Sequence, residues 1–138
     1  SYALAGLRFG FLVAQPQVIA ELLKVKDSYN CDALAIAGAT AAMRDQPWLQ
    51  QNRQAGIASR ERLHNRLQEL GCHVEPAQAN FRWCTQPERP LQPLYEKLKE
   101  NHVLVRYMDY PGWGEGLRIS VGTDEQIDAC LTLLEAMN

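Results

Sequence analysis

The sequence predicts an α+β fold, in which long helices precede a small, mainly antiparallel sheet that is covered by helices. Helical periodicity dominates the first 70 residues, and strand periodicity begins after Gly71. From there the predicted order is strand–strand–helix–strand–strand–helix, which favours helices packed on an antiparallel sheet. The chain has 138 residues, and its composition is that of an ordinary globular protein rather than a disordered or fibrous one.

The chain opens with a predicted strand that is followed by a helix. Residues 9–14 are mostly apolar and of types common in strands, which is typical of a buried strand. Pro16 follows at a position where proline can occupy the first turn of a helix. Apolar and charged residues then separate to opposite sides through residues 17–28, as in a helix that buries one face.

Two further helices are predicted before the change to strand periodicity. Asp32 is a suitable N-cap for a helix over residues 33–44. Small residues lie on every side of this helix, so we expect it to pack closely within a larger body and to favour self-association when isolated. Residues 48–70 predict a long helix with one charged face, and Gly71 is a good helix stop.

The second half of the sequence predicts four strands and two helices. The strands are expected over residues 72–75, 80–85, 103–108 and 117–122, and a short helix over residues 91–100. A glycine- and proline-containing loop is expected over residues 109–115. Thr123 or Asp124 is expected to cap a final amphipathic helix.

Three arginines in apolar sequence surroundings are the candidate binding residues: Arg8, Arg106 and Arg118. An unpaired buried guanidinium is costly, so each needs a protein carboxylate, a solvent-facing position or an anionic ligand. The planar guanidinium matches a carboxylate or phosphate, and the three together therefore suggest a set of anion-binding groups. Glu115 is the alternative structural partner for Arg118.

Charge and cysteine usage argue against several other classes of site. A formal net charge of −2 provides no positive field for nucleic acid or anionic lipid, and no segment approaches the ~20 apolar residues of a membrane span. Cys31, Cys72, Cys84 and Cys130 include no CxxC pair and predict reduced, mostly buried thiols in a cytoplasmic protein. We therefore expect no metal site, no nucleic-acid partner and no membrane partner.

Histidine and aromatic positions suggest no further chemistry. His64 is expected on the polar side of the long helix and His102 at the start of a strand, and neither has an evident catalytic companion. Trp48, Phe81 and Trp83 are expected in the core. The standard phosphate-loop, hydrolase and dinucleotide motifs are absent from the sequence.

The first eleven residues, SYALAGLRFGF, resemble the segment that follows the Schiff-base lysine in fold-type I pyridoxal-phosphate aminotransferases. Further matches run in the same order: DSYN at 27–30, ANF at 79–81, VLVR at 103–106 and LRISVGT at 117–123. The chain is most similar to the histidinol-phosphate aminotransferase group, and the resemblance extends over essentially all 138 residues.

The resemblance implies a role for each arginine. Arg8 would hold the phosphate of pyridoxal 5′-phosphate, Arg118 would pair with a substrate carboxylate, and Arg106 would lie near the distal phosphate of a phosphorylated substrate. Histidinol phosphate has no α-carboxylate, so Arg118 would there meet the carboxylate of glutamate. The two arginines would then share the anionic groups of both substrates. Residues around Asn80 and Phe81 would belong to a small domain that closes over the site.

The resemblance also implies how the chain is organised. Residues 1–46 would end a large cofactor-binding domain, residues 47–70 would form a connecting helix, and residues 71–138 would form the small C-terminal domain. The Schiff-base lysine is expected immediately before Ser1, so we expect a fragment that is inactive alone and does not bind the cofactor. The whole protein would be a cytoplasmic homodimer in histidine biosynthesis that transfers an amino group between histidinol phosphate, or a related amino acid or amino phosphate, and 2-oxoglutarate.

Three alternatives to this activity are consistent with the sequence. A threonine-phosphate decarboxylase and an aromatic-amino-acid aminotransferase would share the fold, and a panel of amino donors and oxo acids would separate them. The third is a non-catalytic α+β interaction module whose arginines are paired internally. In such a module, Arg118→Ala would lower folding stability, whereas in an enzyme it would lower kcat/KM.

Overall fold

A computed structural model describes residues 2–112 and 114–137 and confirms the predicted α+β class. The helices within these residues are α1 (Pro16–Val25), α2 (Ala33–Arg44), α3 (Gln46–Glu69), α4 (Gln92–Glu100) and α5 (Asp124–Ala136). The strands are β1 (His73–Val74), β2 (Phe81–Thr85), β3 (Arg106–Tyr110) and β4 (Gly114–Ser120). A 3₁₀ turn over Ala5–Leu7 precedes α1. The chain divides into two compact units, Ser1–Arg53 and Gln54–Asn138.

Local capping signals in the first unit are confirmed, whereas its predicted strand is wrong. Pro16 begins α1, and a side-chain oxygen of Asp32 accepts a hydrogen bond from the Ala35 N–H at 2.8 Å to cap α2. Residues 9–14 form no strand, and Val13 in this segment is 88% exposed. A strand needs a neighbouring strand to satisfy its backbone groups, and the described residues of this unit contain none.

The small-residue helix α2 buries only part of its surface. Ala35 and Ala39 are buried, whereas Leu34 and Ile36 are exposed. The predicted bounds of this helix are confirmed. Its exposed apolar positions are consistent with the expectation that it packs within a larger body.

The second unit contains a four-stranded sheet with the order β1-β2-β4-β3, in which every neighbouring pair is antiparallel. Cys84, Leu117 and Ile119 lie on one face of the sheet and join a buried cluster with leucines of α3, α4 and α5. Leu63 and Leu67 of α3 have no exposed surface. The helices therefore cover this face of the sheet and bury the core of the unit.

Several element boundaries differ from the sequence prediction: α1 ends at Val25 rather than residue 28, and the largest changes in the sheet are at β3 and β4. The third strand begins at Arg106 rather than residue 103, because Val103 and Val105 pack against the core without joining the sheet ladder. The predicted loop over 109–115 is shorter, because β3 and β4 stay paired as far as Tyr110 and Gly114. Glycine at position 114 permits its left-handed φ of +81° at this point.

Side-chain burial corrects the predictions for aromatic and histidine residues. Trp48 is 40% exposed, and Phe81 and Trp83 are half-buried rather than in the core. His64 is half-buried, and its Nδ1 atom is buried without a hydrogen-bond partner among the described residues. His102 lies in the turn after α4 with a left-handed φ of +61°, not at a strand start.

The final helix and the cysteines agree with the sequence. Thr123 is the N-cap of α5, and it exchanges hydrogen bonds with Gln126 in a capping box. All four cysteines are free, and all but Cys31 are buried. In the described part of the chain, no helix combines the length and apolar character needed to cross a bilayer.

Candidate functional site

The sheet register brings two of the three predicted arginines together. Arg106 of β3 is the register partner of Arg118 of β4, and Arg118 is in turn the partner of Trp83 of β2. Directly opposed residues in antiparallel strands project to the same face, so these three residues form a row across the sheet. We name this side of the sheet the open face, defined by Phe81, Trp83, Arg106, Met108, Tyr110, Gly116 and Arg118.

The open face is the side of the sheet opposite the buried cluster. Side chains alternate along β4, so Leu117 and Ile119 point into the core while Arg118 points to the open face. Arg118 is half-buried and Arg106 is exposed. Both guanidinium groups are therefore accessible to a ligand within this unit.

Neither arginine of the open face is paired with a protein carboxylate in the described residues 2–112 and 114–137. Glu115, the predicted alternative partner, points to the other face. Its carboxylate accepts hydrogen bonds from the Tyr107 hydroxyl at 2.7 Å and the Leu91 N–H at 2.9 Å. These hydrogen bonds, chiefly the one from Tyr107, hold the pKa of Glu115 below its usual value of 4.5. The interpretation of Glu115 as the partner of Arg118 is therefore wrong.

Among the described residues, an aromatic ring rather than an acidic group contacts the Arg118 guanidinium. The Cζ atom of Arg118 lies 5.4 Å from the centroid of the Phe81 ring, which is within the range of a cation–π interaction. The Trp83 and Tyr110 ring centroids are 6.1 Å apart. A Cβ atom at Gly116 would lie only 2.2 Å from Cζ2 of Trp83, so the indole packs directly over this glycine.

The electrostatics of this arrangement favour an anion. Like charges directly opposite each other in a sheet are destabilising, and here two arginines occupy such positions. An anion bound by both guanidinium groups would replace this repulsion with attraction. Because each guanidinium presents a planar set of donors, a carboxylate or a phosphate fits the pair chemically.

Arg8, the third predicted arginine, belongs to the first unit. It is exposed, and its Nη1 atom donates a hydrogen bond to the Ala5 carbonyl oxygen at 3.0 Å. Its backbone has a left-handed φ of +53° at the end of the 3₁₀ turn. No carboxylate pairs with it among the residues that the structure describes. Its side chain can therefore bind an anionic group.

The most deeply buried arginine was not identified from the sequence. Arg82 is 2% exposed and donates hydrogen bonds to the Ala77 carbonyl oxygen and to Glu61 Oε1, both at 3.0 Å. It also pairs with the Arg60 carbonyl oxygen at 3.5 Å. The sequence contains one indication of its burial: Arg82 lies between Phe81 and Trp83 in a strand. Because side chains alternate along a strand, Arg82 is on the face opposite these two residues. Arg82 is thus a structural residue that links β2 to α3.

Comparison with known proteins gives matches over nearly the entire chain. Residues 1–134 match the family model described as Aminotransferase class I and II. The histidinol-phosphate aminotransferase of Rhodopirellula baltica is 58% identical over 135 residues, which cover 98% of this chain and 37% of that protein. The histidinol-phosphate aminotransferase 1 of Nostoc sp. is 47% identical over 133 residues, which cover 96% of this chain and 38% of that protein. The chain thus spans little more than a third of the length of these relatives.

A solved structure shows the same fold. The histidinol-phosphate aminotransferase from Sinorhizobium meliloti, in complex with pyridoxal-5′-phosphate, matches with a TM-score of 0.83 and 21% sequence identity. The match covers 99% of this chain and 39% of that one. At this level of identity the match establishes the fold of the corresponding region.

Proposed function

The chain belongs to the aminotransferase class I and II family, and we propose on this basis that the whole protein is a pyridoxal-phosphate-dependent histidinol-phosphate aminotransferase. It would exchange an amino group between histidinol phosphate and 2-oxoglutarate. The observation that carries the proposal is that Arg106 and Arg118 lie opposite each other on the open face. Neither guanidinium is paired with a carboxylate of the described residues. The names of the relatives that are 58% and 47% identical support the substrate.

The arginine pair suits a site that binds two different anions in turn. In this reaction the amino donor carries a phosphate, and the amino acceptor carries carboxylates. A guanidinium can bind either group with two parallel hydrogen bonds. We infer that Arg106 and Arg118 share these groups and thereby orient the reacting carbon of each substrate.

Arg8 fits the phosphate of pyridoxal 5′-phosphate. Its guanidinium is exposed and, among the described residues, donates a hydrogen bond to the Ala5 carbonyl oxygen. When bound, the cofactor would supply the electron-accepting ring that stabilises charge at the substrate carbon as a proton leaves. The contribution of Arg8 would be to hold the phosphate by charge and hydrogen bonding, while Arg106 and Arg118 bind the substrate.

Exposed apolar residues support the view that the first unit belongs to a larger body. Phe11, Val25 and Leu34 are 65%, 82% and 81% exposed. We infer that residues 1–46 complete a large domain, that residues 47–70 connect it to a small domain over 71–138, and that the remainder of a homodimer covers this apolar surface. The four free thiols support a reducing, cytoplasmic location.

A substrate panel tests the proposed activity on the full-length protein loaded with pyridoxal 5′-phosphate. Histidinol phosphate, phenylalanine and threonine phosphate would each be offered, with 2-oxoglutarate as acceptor and with carbon dioxide release followed in parallel. We expect the highest kcat/KM for histidinol phosphate. A preference for phenylalanine, or carbon dioxide release from threonine phosphate, would instead indicate one of the related enzymes.

Arg118→Ala separates these enzyme functions from an interaction module. For an enzyme, loss of this charged group should lower kcat/KM by about 100-fold with little change in the unfolding temperature. For a module in which Arg118 is a structural residue, the variant should unfold at a lower temperature, and the parent protein should transfer no amino group.

A further inference from the structure

We propose that Phe81 is a positioning residue for Arg118, which sets the guanidinium in the orientation that receives the carboxylate of the oxo-acid substrate. This inference rests on the proposed function, because it assumes that Arg118 binds that carboxylate. It assigns to Phe81 a role in binding without any contact between Phe81 and the substrate.

Among the described residues, the Phe81 ring makes a cation–π contact with the Arg118 guanidinium. Phe81 lies two residues from Trp83 along β2 and is therefore diagonal to Arg118 on the open face. The Arg118 Cζ atom lies 5.4 Å from the ring centroid. Among the described residues, no hydrogen bond or ion pair restrains this guanidinium. The cation–π contact with Phe81 is therefore the specific interaction that we propose orients it.

An aromatic ring suits this task better than a carboxylate would. An Asp or Glu beside Arg118 would occupy its N–H donors and compete with the substrate carboxylate. A ring contacts a guanidinium through its charge-attracting face and adds no acceptor oxygen to compete for those donors. The like charge of Arg106, directly opposite, disfavours displacement of Arg118 toward β3.

The strand that carries Phe81 is itself firmly held. Arg82, the next residue, is 2% exposed and is bound through its guanidinium to Glu61 and to the Ala77 carbonyl oxygen. On the other side of Phe81, the Asn80 carbonyl oxygen accepts a hydrogen bond from the Val121 N–H at 2.9 Å. These contacts fix the backbone on both sides of Phe81, so the ring provides a stable surface for Arg118.

Kinetics of the full-length holoenzyme with Phe81→Leu and Phe81→Tyr test the proposal. Leucine keeps an apolar side chain but removes the ring, whereas tyrosine keeps the aromatic face. We expect Phe81→Leu to raise the KM for 2-oxoglutarate about 5-fold, with kcat changed by less than about twofold. The KM of Phe81→Tyr should stay at the value of the parent protein. Thr85→Val is the matched control, because Thr85 lies two residues from Trp83 on the same side of β2, as Phe81 does, but has no ring to contact Arg118. It should leave both constants unchanged.

An unchanged KM in Phe81→Leu, or a KM in Phe81→Tyr that is as high as in Phe81→Leu, would overturn the proposal. If Phe81→Leu does not fold, Phe81→Met carries the same comparison, because methionine adapts to irregular packing. Arg118→Gln, measured in parallel, separates the binding role of Arg118 from the positioning role of Phe81. A raised KM in Arg118→Gln but not in the Phe81 variants rejects only the positioning role. An unchanged KM in Arg118→Gln rejects the binding role of Arg118 and the positioning role together.

Discussion

Arg106 and Arg118 face each other across strands β3 and β4, and in the described chain neither guanidinium is neutralised by an acidic side chain. A sheet gains no stability from such a pair, because directly opposed like charges repel each other. The arrangement becomes favourable when an anion lies between the two groups. We therefore predict that an anion bound at the proposed substrate site stabilises the sheet.

Replacing one arginine should relieve this repulsion. We expect Arg106→Gln to raise the unfolding temperature of the ligand-free protein by about 1 °C at low ionic strength, with a smaller rise in high salt. Inorganic phosphate should stabilise the parent protein more than the variant. Thermal unfolding with and without phosphate measures both effects. A lower unfolding temperature for Arg106→Gln at low salt would show that the two charges do not oppose folding.

The close packing of Trp83 on Gly116 predicts a steric effect. Gly116→Ala should destabilise the protein by about 1–3 kcal/mol, because the added Cβ atom would lie 2.2 Å from the indole atom Cζ2. Gly56→Ala is the matched control, since a Cβ atom at this position in α3 meets no atom within 4 Å. It should stabilise the helix by about 0.5–1 kcal/mol. Denaturant unfolding measures the change in the free energy of unfolding for each variant. Equal changes in the two variants would contradict the packing of Trp83 on Gly116.

Features set by neighbouring residues could be predicted from the sequence. Asp32 and Thr123 cap their helices because the required hydrogen bonds reach only three residues along the chain. Gly71 has the left-handed φ of +80° typical of a residue that ends a helix. The strand expected over residues 9–14 could not be settled in this way, because a strand depends on a partner that is distant in sequence.

The arginines of the site could be selected from the sequence, whereas their arrangement could not. Residue type and the family resemblance identified Arg106 and Arg118, but only the register of β3 and β4 shows that they lie opposite each other. A shift of one residue would place Arg118 on the buried face. The same alternation separates Arg82, which is bound within the fold, from Phe81 beside it.

The hydrogen bonds to Glu115 predict a pH dependence of stability. Because folding lowers the pKa of this carboxyl group, its contribution is present above the usual pKa of 4.5 and is lost as the pH falls through the lower folded value. The stability difference between the parent protein and Glu115→Gln should therefore shrink between about pH 6 and about pH 3. Unfolding of both proteins across this range provides the measurement. A difference that stays constant with pH would rule out this role for the Glu115 charge.

Burial predicts low reactivity for the core thiols. Burial raises the pKa of the Cys130 thiol to about 11, and a hydrogen bond with Cys72, together with burial, raises the pKa of Cys84. In the folded full-length protein, both should resist alkylation by iodoacetamide near pH 8 and react only after denaturation. Mass spectrometry of the labelled peptides measures this protection. Labelling of Cys130 at the rate of free glutathione would contradict its placement in the core.

The most direct test of the account is the preference of the full-length holoenzyme for histidinol phosphate over histidinol, expressed as the ratio of the two kcat/KM values. The unphosphorylated compound lacks the anion that Arg106 and Arg118 would bind. We predict a strong preference for the phosphate in the parent protein, and a ratio about 100-fold lower in Arg106→Gln and in Arg118→Gln. A ratio that is the same in all three proteins would show that the opposed arginines do not bind the substrate phosphate.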